Sequence, residues 1–161
     1  NADLSKPFID NILHDKFKLY GLLAIISLTN LSIMEGQRIF GIYKSLKNVI
    51  KVMTTQKHWL SYFCEWLFIL LEIIGYQIDY KNKKEIKYYD LTNGLFVHSK
   101  INNSVLFPYK LLNHQKINFE EVKSIFDIFE SIYSKNHLDN INYKMPIQFY
   151  NFKSTILNEL R

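Results

Sequence analysis

Residues His58 to Tyr80, HWLSYFCEWLFILLEIIGYQIDY, constrain the fold more than any other part of the chain. Trp59, Tyr62, Phe63, Trp66, Phe68, Leu70 and Leu71 leave almost no polar face, and a helix that is apolar all round has to be enclosed by other elements. The spacing predicts a helix over about Gln56–Ile74, stopped by Gly75, a residue that accepts the left-handed conformation in which many helices end. The longest uninterrupted apolar run, Trp66–Leu71, is bracketed by Glu65 and Glu72. It falls well short of the roughly 18 residues of a membrane span.

Other helices are expected around this rod. Phe17, Tyr20, Ala24, Leu28 and Leu31 predict one from about Asp15 to Ile33. Ile39, Ile42, Leu46, Val49 and Met53 predict a second over about Gln37–Met53, with Gly36 in the break before it. Asn118 followed three residues later by Glu121 has the spacing of a capping box, and opens a helix carrying Phe119, Val122, Phe126, Phe129 and Tyr133. Residues 134–146 read as a polar connector, followed by a last amphipathic helix with Ile147, Tyr150, Ile156, Leu157 and Leu160.

Between the rod and the Asn118 helix the pattern changes. Residues 86–91 and 95–98 are β-prone, and Thr92-Asn93-Gly94 separates them, which is a hairpin signal. Phe107-Pro108 predicts a bend into a short helical turn at Tyr109. With 161 residues, 48% of them hydrophobic, the chain is too apolar for disorder and has no linker that would divide it. The expected class is mainly α: a compact helical bundle with a small inserted β-hairpin. Asn1-Ala2 read as an expression scar, 3–161 as one helical domain, and 81–116 as a basic insertion within it.

The net charge of +5 is unevenly placed. Residues 1–80 carry eight basic and seven acidic side chains, and 117–161 carry five and six. Residues 81–116 carry seven lysines against Glu85 and Asp90, so the basicity belongs to this segment. Tyr80, Tyr88, Tyr89, Phe96 and Tyr109 interleave with its lysines. Ammonium groups displace counterions from phosphates and rings stack on bases, so the pattern suits a nucleic-acid surface. The same pattern also describes a solvated connector whose tyrosines pack inward. Lys44, Lys47 and Lys51 line one face of the second helix, either as its wet side or as a contact for an anionic peptide or a phosphate backbone.

Catalytic signatures are missing. The sequence holds no phosphate-binding glycine loop, no H-E-x-x-H and no G-x-S-x-G. Its five histidines are scattered, and one cysteine, Cys64, cannot build a four-cysteine or two-cysteine, two-histidine metal site. Cys64 inside the apolar helix reads as a small hydrophobe. Glu65 and Glu72 share a helix face. They suit acid–base work, or else one reaches solvent while the other bonds a neighbouring element. The expectation is a protein that is not an enzyme, has no cofactor and binds no metal.

Several segments, taken in order, resemble the RecO recombination mediators. Leu70-Leu71-Glu72-Ile73-Ile74-Gly75-Tyr76-Gln77-Ile78-Asp79-Tyr80 is similar to that family's LLExxGYxxDL signature after its longest helix. Tyr89-Asp90-Leu91-Thr92-Asn93-Gly94 resembles its YLSPKSG hairpin, and Phe107-Pro108-Tyr109-Lys110-Leu111-Leu112 its PYKDKLL segment. The stretch Pro146 to Arg161 resembles the closing helix, with most arginines gone. The resemblance covers roughly residues 15–161. Most family members carry four zinc-binding cysteines around the hairpin. Here Lys83 stands at the first of those positions, so the resemblance implies a metal-free variant. Family members begin with an OB-fold domain, and this chain starts about where that domain would end.

What the resemblance implies is a cytoplasmic, nucleoid-associated bacterial DNA repair protein. It would bind single- and double-stranded DNA, help anneal strands, bind the acidic tail of single-stranded-DNA-binding protein, and act with RecR in loading RecA. Lys81, Lys83, Lys84, Lys87, Lys100 and Lys110 are the candidate DNA contacts. Lys44, Lys47 and Lys51 are the candidate contacts for the acidic tail. The alternative is a protein-interaction module with no DNA contact of its own.

Overall fold

The computed structural model describes residues 6–33, 39–83 and 85–161. Helix α1 (Lys6–Leu13) leads into α2 (Lys16–Ser32), α3 (Ile42–Thr55) and α4 (Trp59–Ile73). Three short strands follow, β1 (Tyr88–Asp90), β2 (Leu95–Val97) and β3 (Ser104–Leu106), then a 3-10 turn (Tyr109–Asn113) and α5 (Phe119–Ile132). A π-helical turn (Tyr133–Leu138), α6 (Asp139–Ile141) and α7 (Ile147–Glu159) complete the chain. The protein is mainly α with a small antiparallel sheet of strand order β2-β1-β3.

The rod is central. Phe63, Cys64, Trp66, Leu67, Phe68, Leu70 and Leu71 of α4 are all buried, and burial pushes the Cys64 thiol pKa up, away from thiolate. Gly75 has a φ of +95°, and Gly75 N donates to Glu72 O (3.1 Å) while Tyr76 N donates to Leu71 O (2.7 Å). That pair of bonds is a Schellman motif, and it satisfies carbonyls the helix end would leave orphaned. α3 packs along α4, and α2 along α7. Helices α2, α4, α5 and α7 meet at Phe152 of α7, whose ring centroid is 4.4 Å from Phe63 of α4 and 5.9 Å from Phe126 of α5. Gly21 of α2 admits this close approach: a Cβ there would stand 3.0 Å from Met53 Cε and 3.3 Å from the Phe152 ring.

Helix starts follow local chemistry. Asp15 caps α2, accepting from Phe17 N at 3.0 Å and Lys18 N at 3.2 Å. At α5 the capping box is complete: Glu121 N donates to Asn118 Oδ1 (3.0 Å) and Asn118 N to Glu121 Oε2 (2.8 Å). Each of these satisfies an N–H that the first helical turn cannot.

Three expectations need correction. The helix predicted over about Gln37–Met53 begins at Ile42: residues 39–41 are not helical, and Gly36 and residues 37–38 lie outside the described residues. Gly41 stands at the N-cap with φ +85°. Residues 134–146 are not simply a connector. The chain continues from α5 through a π-helical turn, whose extra residue per turn brings Tyr133, His137 and Leu138 to the interior. The insertion holds three strands rather than a two-stranded hairpin, since Ser104–Leu106 pairs with β1.

Candidate nucleic-acid interface

The sheet of the insertion is fastened to the bundle from below. Phe107 sits at the centre of an aromatic cluster, with centroids 5.9 Å from Phe68 of α4, 5.4 Å from Tyr80, 5.2 Å from Phe96 and 4.8 Å from Tyr109. The Tyr109 hydroxyl donates to Ile86 O at 2.7 Å and lies against the Lys83 carbonyl. Burial pushes the hydroxyls of Tyr80 and Tyr89 up to about 12. These rings are structural: Tyr80 and Tyr89 are buried, and Phe96 and Tyr109 pack on the core. Of the aromatics interleaved with the lysines, only Tyr88 stays outside the packed core among the described residues.

The turn between β1 and β2 is tied by Asp90. Its carboxylate accepts from Asn93 Nδ2 (2.6 Å), Thr92 N (2.8 Å) and Asn93 N (3.3 Å), and Gly94 N donates back to Asp90 O (2.9 Å). The Asn93 side-chain amide, then the Thr92 and Asn93 backbone N–H groups, hold the Asp90 carboxyl below the usual carboxylate range against its desolvation. From α5 and the π-turn, Ser131 Oγ donates to Leu91 O (2.7 Å), while Lys135 Nζ donates to Leu91 O and Thr92 O (3.1 Å each). Among the described residues no three His, Cys, Asp or Glu side chains converge as a metal-binding group.

The lysines divide between two sides of this sheet. Lys87, Lys100 and Lys110 come together with Tyr88, Leu106 and Pro108 in an open groove of about 750 Å³ between β3 and the start of α5. Helix α5 adds Lys123, which carries no mark in the sequence because it looks like an ordinary solvent-facing helix lysine. Lys110 lies 3.3 Å from Glu121 and Lys123 lies 2.8 Å from Asp127, whereas Lys87 and Lys100 form no ion pair among the described residues. Glu120 also borders the groove. Lys83 lines a second hollow of about 400 Å³ on the opposite side, beside Tyr76, Asp79 and Phe96. Lys81 is exposed and lines neither, and Lys84 lies outside the described residues. Lys44, Lys47 and Lys51 lie on α3, near the exposed Tyr43.

The two helix carboxylates are not paired for chemistry. Glu72 is exposed, and Glu65 Oε2 is 2.5 Å from His114 Nε2, whose ring stacks on Tyr62 at 4.0 Å. This ties the end of the 3-10 turn back to α4. No helix among the described residues is long and apolar enough to cross a membrane. Comparison with protein-family models, with curated proteins and with solved structures finds no match for this chain.

Proposed function

We propose that the chain is a non-enzymatic DNA-binding module, the helical part of a RecO-like recombination mediator, in which a β-finger without a metal presents lysines to DNA phosphates. The observation that carries the reading is the groove in which Lys87, Lys100, Lys110 and Lys123 flank one open channel, two of them with no acidic partner among the described residues. Unpaired ammonium groups on an open surface exchange their counterions for phosphates, which binds nucleic acid without reading its sequence. The ordered resemblance of the rod, hairpin and Phe107-Pro108-Tyr109 segments to RecO supports the repair context. In that context a bacterial cytoplasmic location and cooperation with RecR follow as part of the proposal.

Lys44, Lys47 and Lys51 are spaced along one face of α3, and the neighbouring Tyr43 is 76% exposed. Cations beside an exposed aromatic suit the acidic, apolar-ended tail of single-stranded-DNA-binding protein. The same observation favours the alternative, an interaction module that binds the tail and no DNA.

The deciding measurement is DNA affinity as a function of salt. Each phosphate neutralised by a lysine contributes about 0.9 to the log–log salt slope for duplex DNA, so replacing Lys87 and Lys100 by Gln flattens it by about 1.8. An unchanged slope removes both lysines from the interface. Binding of an acidic tail peptide by a chain that binds no DNA decides for the interaction module.

A further inference from the structure

The register of the sheet sets Val97, Tyr88 and Leu106 side by side across all three strands. The neighbouring row, Phe96, Tyr89 and Val105, packs on the core. Side chains alternate between faces along a strand, so the first row belongs to the outer face. Leu106 is 55% exposed there, and Tyr88 and Leu106 both line the lysine groove. An aromatic ring that is partly exposed, outside the packed core and with Lys87, Lys100 and Lys110 around it, is arranged as a stacking platform inside a cationic rim.

We infer that Tyr88 stacks on an unpaired base and makes this groove selective for single-stranded over duplex DNA. The inference rests on the phosphate-binding reading above and adds a contact that phosphate binding does not need. A duplex presents its phosphates to the lysines but keeps its base faces within the helix. A single strand can place phosphates on Lys87 and Lys100 while turning one base onto the Tyr88 ring. Stacking of this kind is tolerant of base identity, since every base has a π-face. Leu106 extends the apolar floor beside the ring, so a neighbouring sugar or base edge also loses water on binding.

The test compares a fluorescein-labelled oligothymidylate with a labelled hairpin duplex at equal, low salt, by anisotropy. The expected result is that Tyr88→Ala weakens oligothymidylate binding about tenfold and duplex binding less than about twofold, while Tyr88→Phe keeps both. Far-ultraviolet circular dichroism of each variant confirms that the fold is retained. Photo-crosslinking of the unaltered chain to a bromouracil-substituted single strand, mapped by mass spectrometry, reads the same contact without any substitution; the adduct is expected on Tyr88. A Tyr88→Ala variant that binds the single strand unchanged, or loses duplex equally, overturns the inference, as does crosslinking confined to other segments. If the unaltered chain binds neither DNA, the phosphate-binding reading fails with it. If DNA binds in a lysine-dependent way and Tyr88 is silent, only the stacking role fails.

Discussion

Glu121 is the residue at which the stability of this domain and its proposed DNA binding pull in opposite directions. One carboxylate oxygen, Oε2, closes the capping box on Asn118 N, and the other, Oε1, holds Lys110 at 3.3 Å. Glu121→Gln separates the two duties. Glutamine serves at this position of a capping box, so the bond to Asn118 survives while the charge is removed. The Lys110 side chain is 58% exposed, and an exposed pair of this kind contributes at most about 1 kcal/mol. Removing an anion from the first turn of α5 costs a further ~0.3–1 kcal/mol. The expected total is about 1 kcal/mol, or a fall in Tm of about 2–4 °C for a domain of this size.

DNA affinity should rise as stability falls. A phosphate about 7 Å from the Glu121 carboxylate is repelled by about 0.6 kcal/mol in a water-like dielectric, close to a threefold effect. Lys110, released from its partner, becomes a further site for counterion exchange and steepens the salt slope by about 0.9 for duplex DNA. Anisotropy titrations between about 50 and 200 mM salt, with a thermal melt alongside, measure both quantities. A variant that melts lower and binds DNA no better, on an unaltered slope, would show that the groove beside α5 is not where phosphates lie.

Two further outcomes follow from the core and the turn. Phe152→Ala empties the meeting point of α2, α4, α5 and α7 and is expected to cost about 3–5 kcal/mol, measured by urea denaturation; a change below about 1 kcal/mol would mean that the aromatic cluster is not the centre of the fold. Asp90 is held in its charged form by the turn, so its contribution is present above the unfolded carboxylate pKa of about 3.9 and is lost as pH falls through the lower folded value. Protection of the Thr92 and Asn93 amides, taken as the exchange rate relative to the intrinsic rate at each pH, should therefore fall below about pH 4, and Asp90→Asn should remove that change; protection that stays constant with pH in the unaltered chain contradicts the assignment.

The elements legible in the sequence were those specified by short-range chemistry. The all-apolar face of α4 and the glycine after it demanded a buried rod with a left-handed stop, and the Schellman bonds at Gly75 and Tyr76 supply it. Asn118 and Glu121 announced the start of α5 in the same way. What escaped depended on distant partners. β3 is three residues long and its pattern is too short to declare itself; only pairing with Tyr88–Asp90 makes it a strand. The π-turn hides because Leu138, five residues after Tyr133, falls off the α-helical period that Tyr133 and His137 keep, and it does so within a polar stretch. At the candidate site, the charge excess of 81–116 was visible, but its partition was not. The path of the folded backbone sends Lys87, Lys100 and Lys110 to one groove and Lys83 to the other side, and Lys123 joins from a helix further along the chain.

The way the β-finger is anchored decides how its lysines can act. A zinc finger is organised by ligands within its own loop and folds around the metal. Here the anchors arrive from elsewhere: Phe68 of α4 beneath Phe107, Ser131 of α5 on Leu91 O, and Lys135 of the π-turn on Leu91 O and Thr92 O. Three strands of three residues each offer too little apolar surface to stand alone, so the sheet forms only with the bundle that holds it. Its angle to α5 is then a property of the core rather than of a hinge. That matters for the groove, because one wall is β3 and the other is the first turns of α5. Lysines on a freely swinging loop would have to be ordered by each ligand they met, at a cost in entropy. Lysines on two walls fixed to one core present their spacing before any strand arrives, which is why the rigid body of the bundle belongs to the proposed binding surface as much as the cations do.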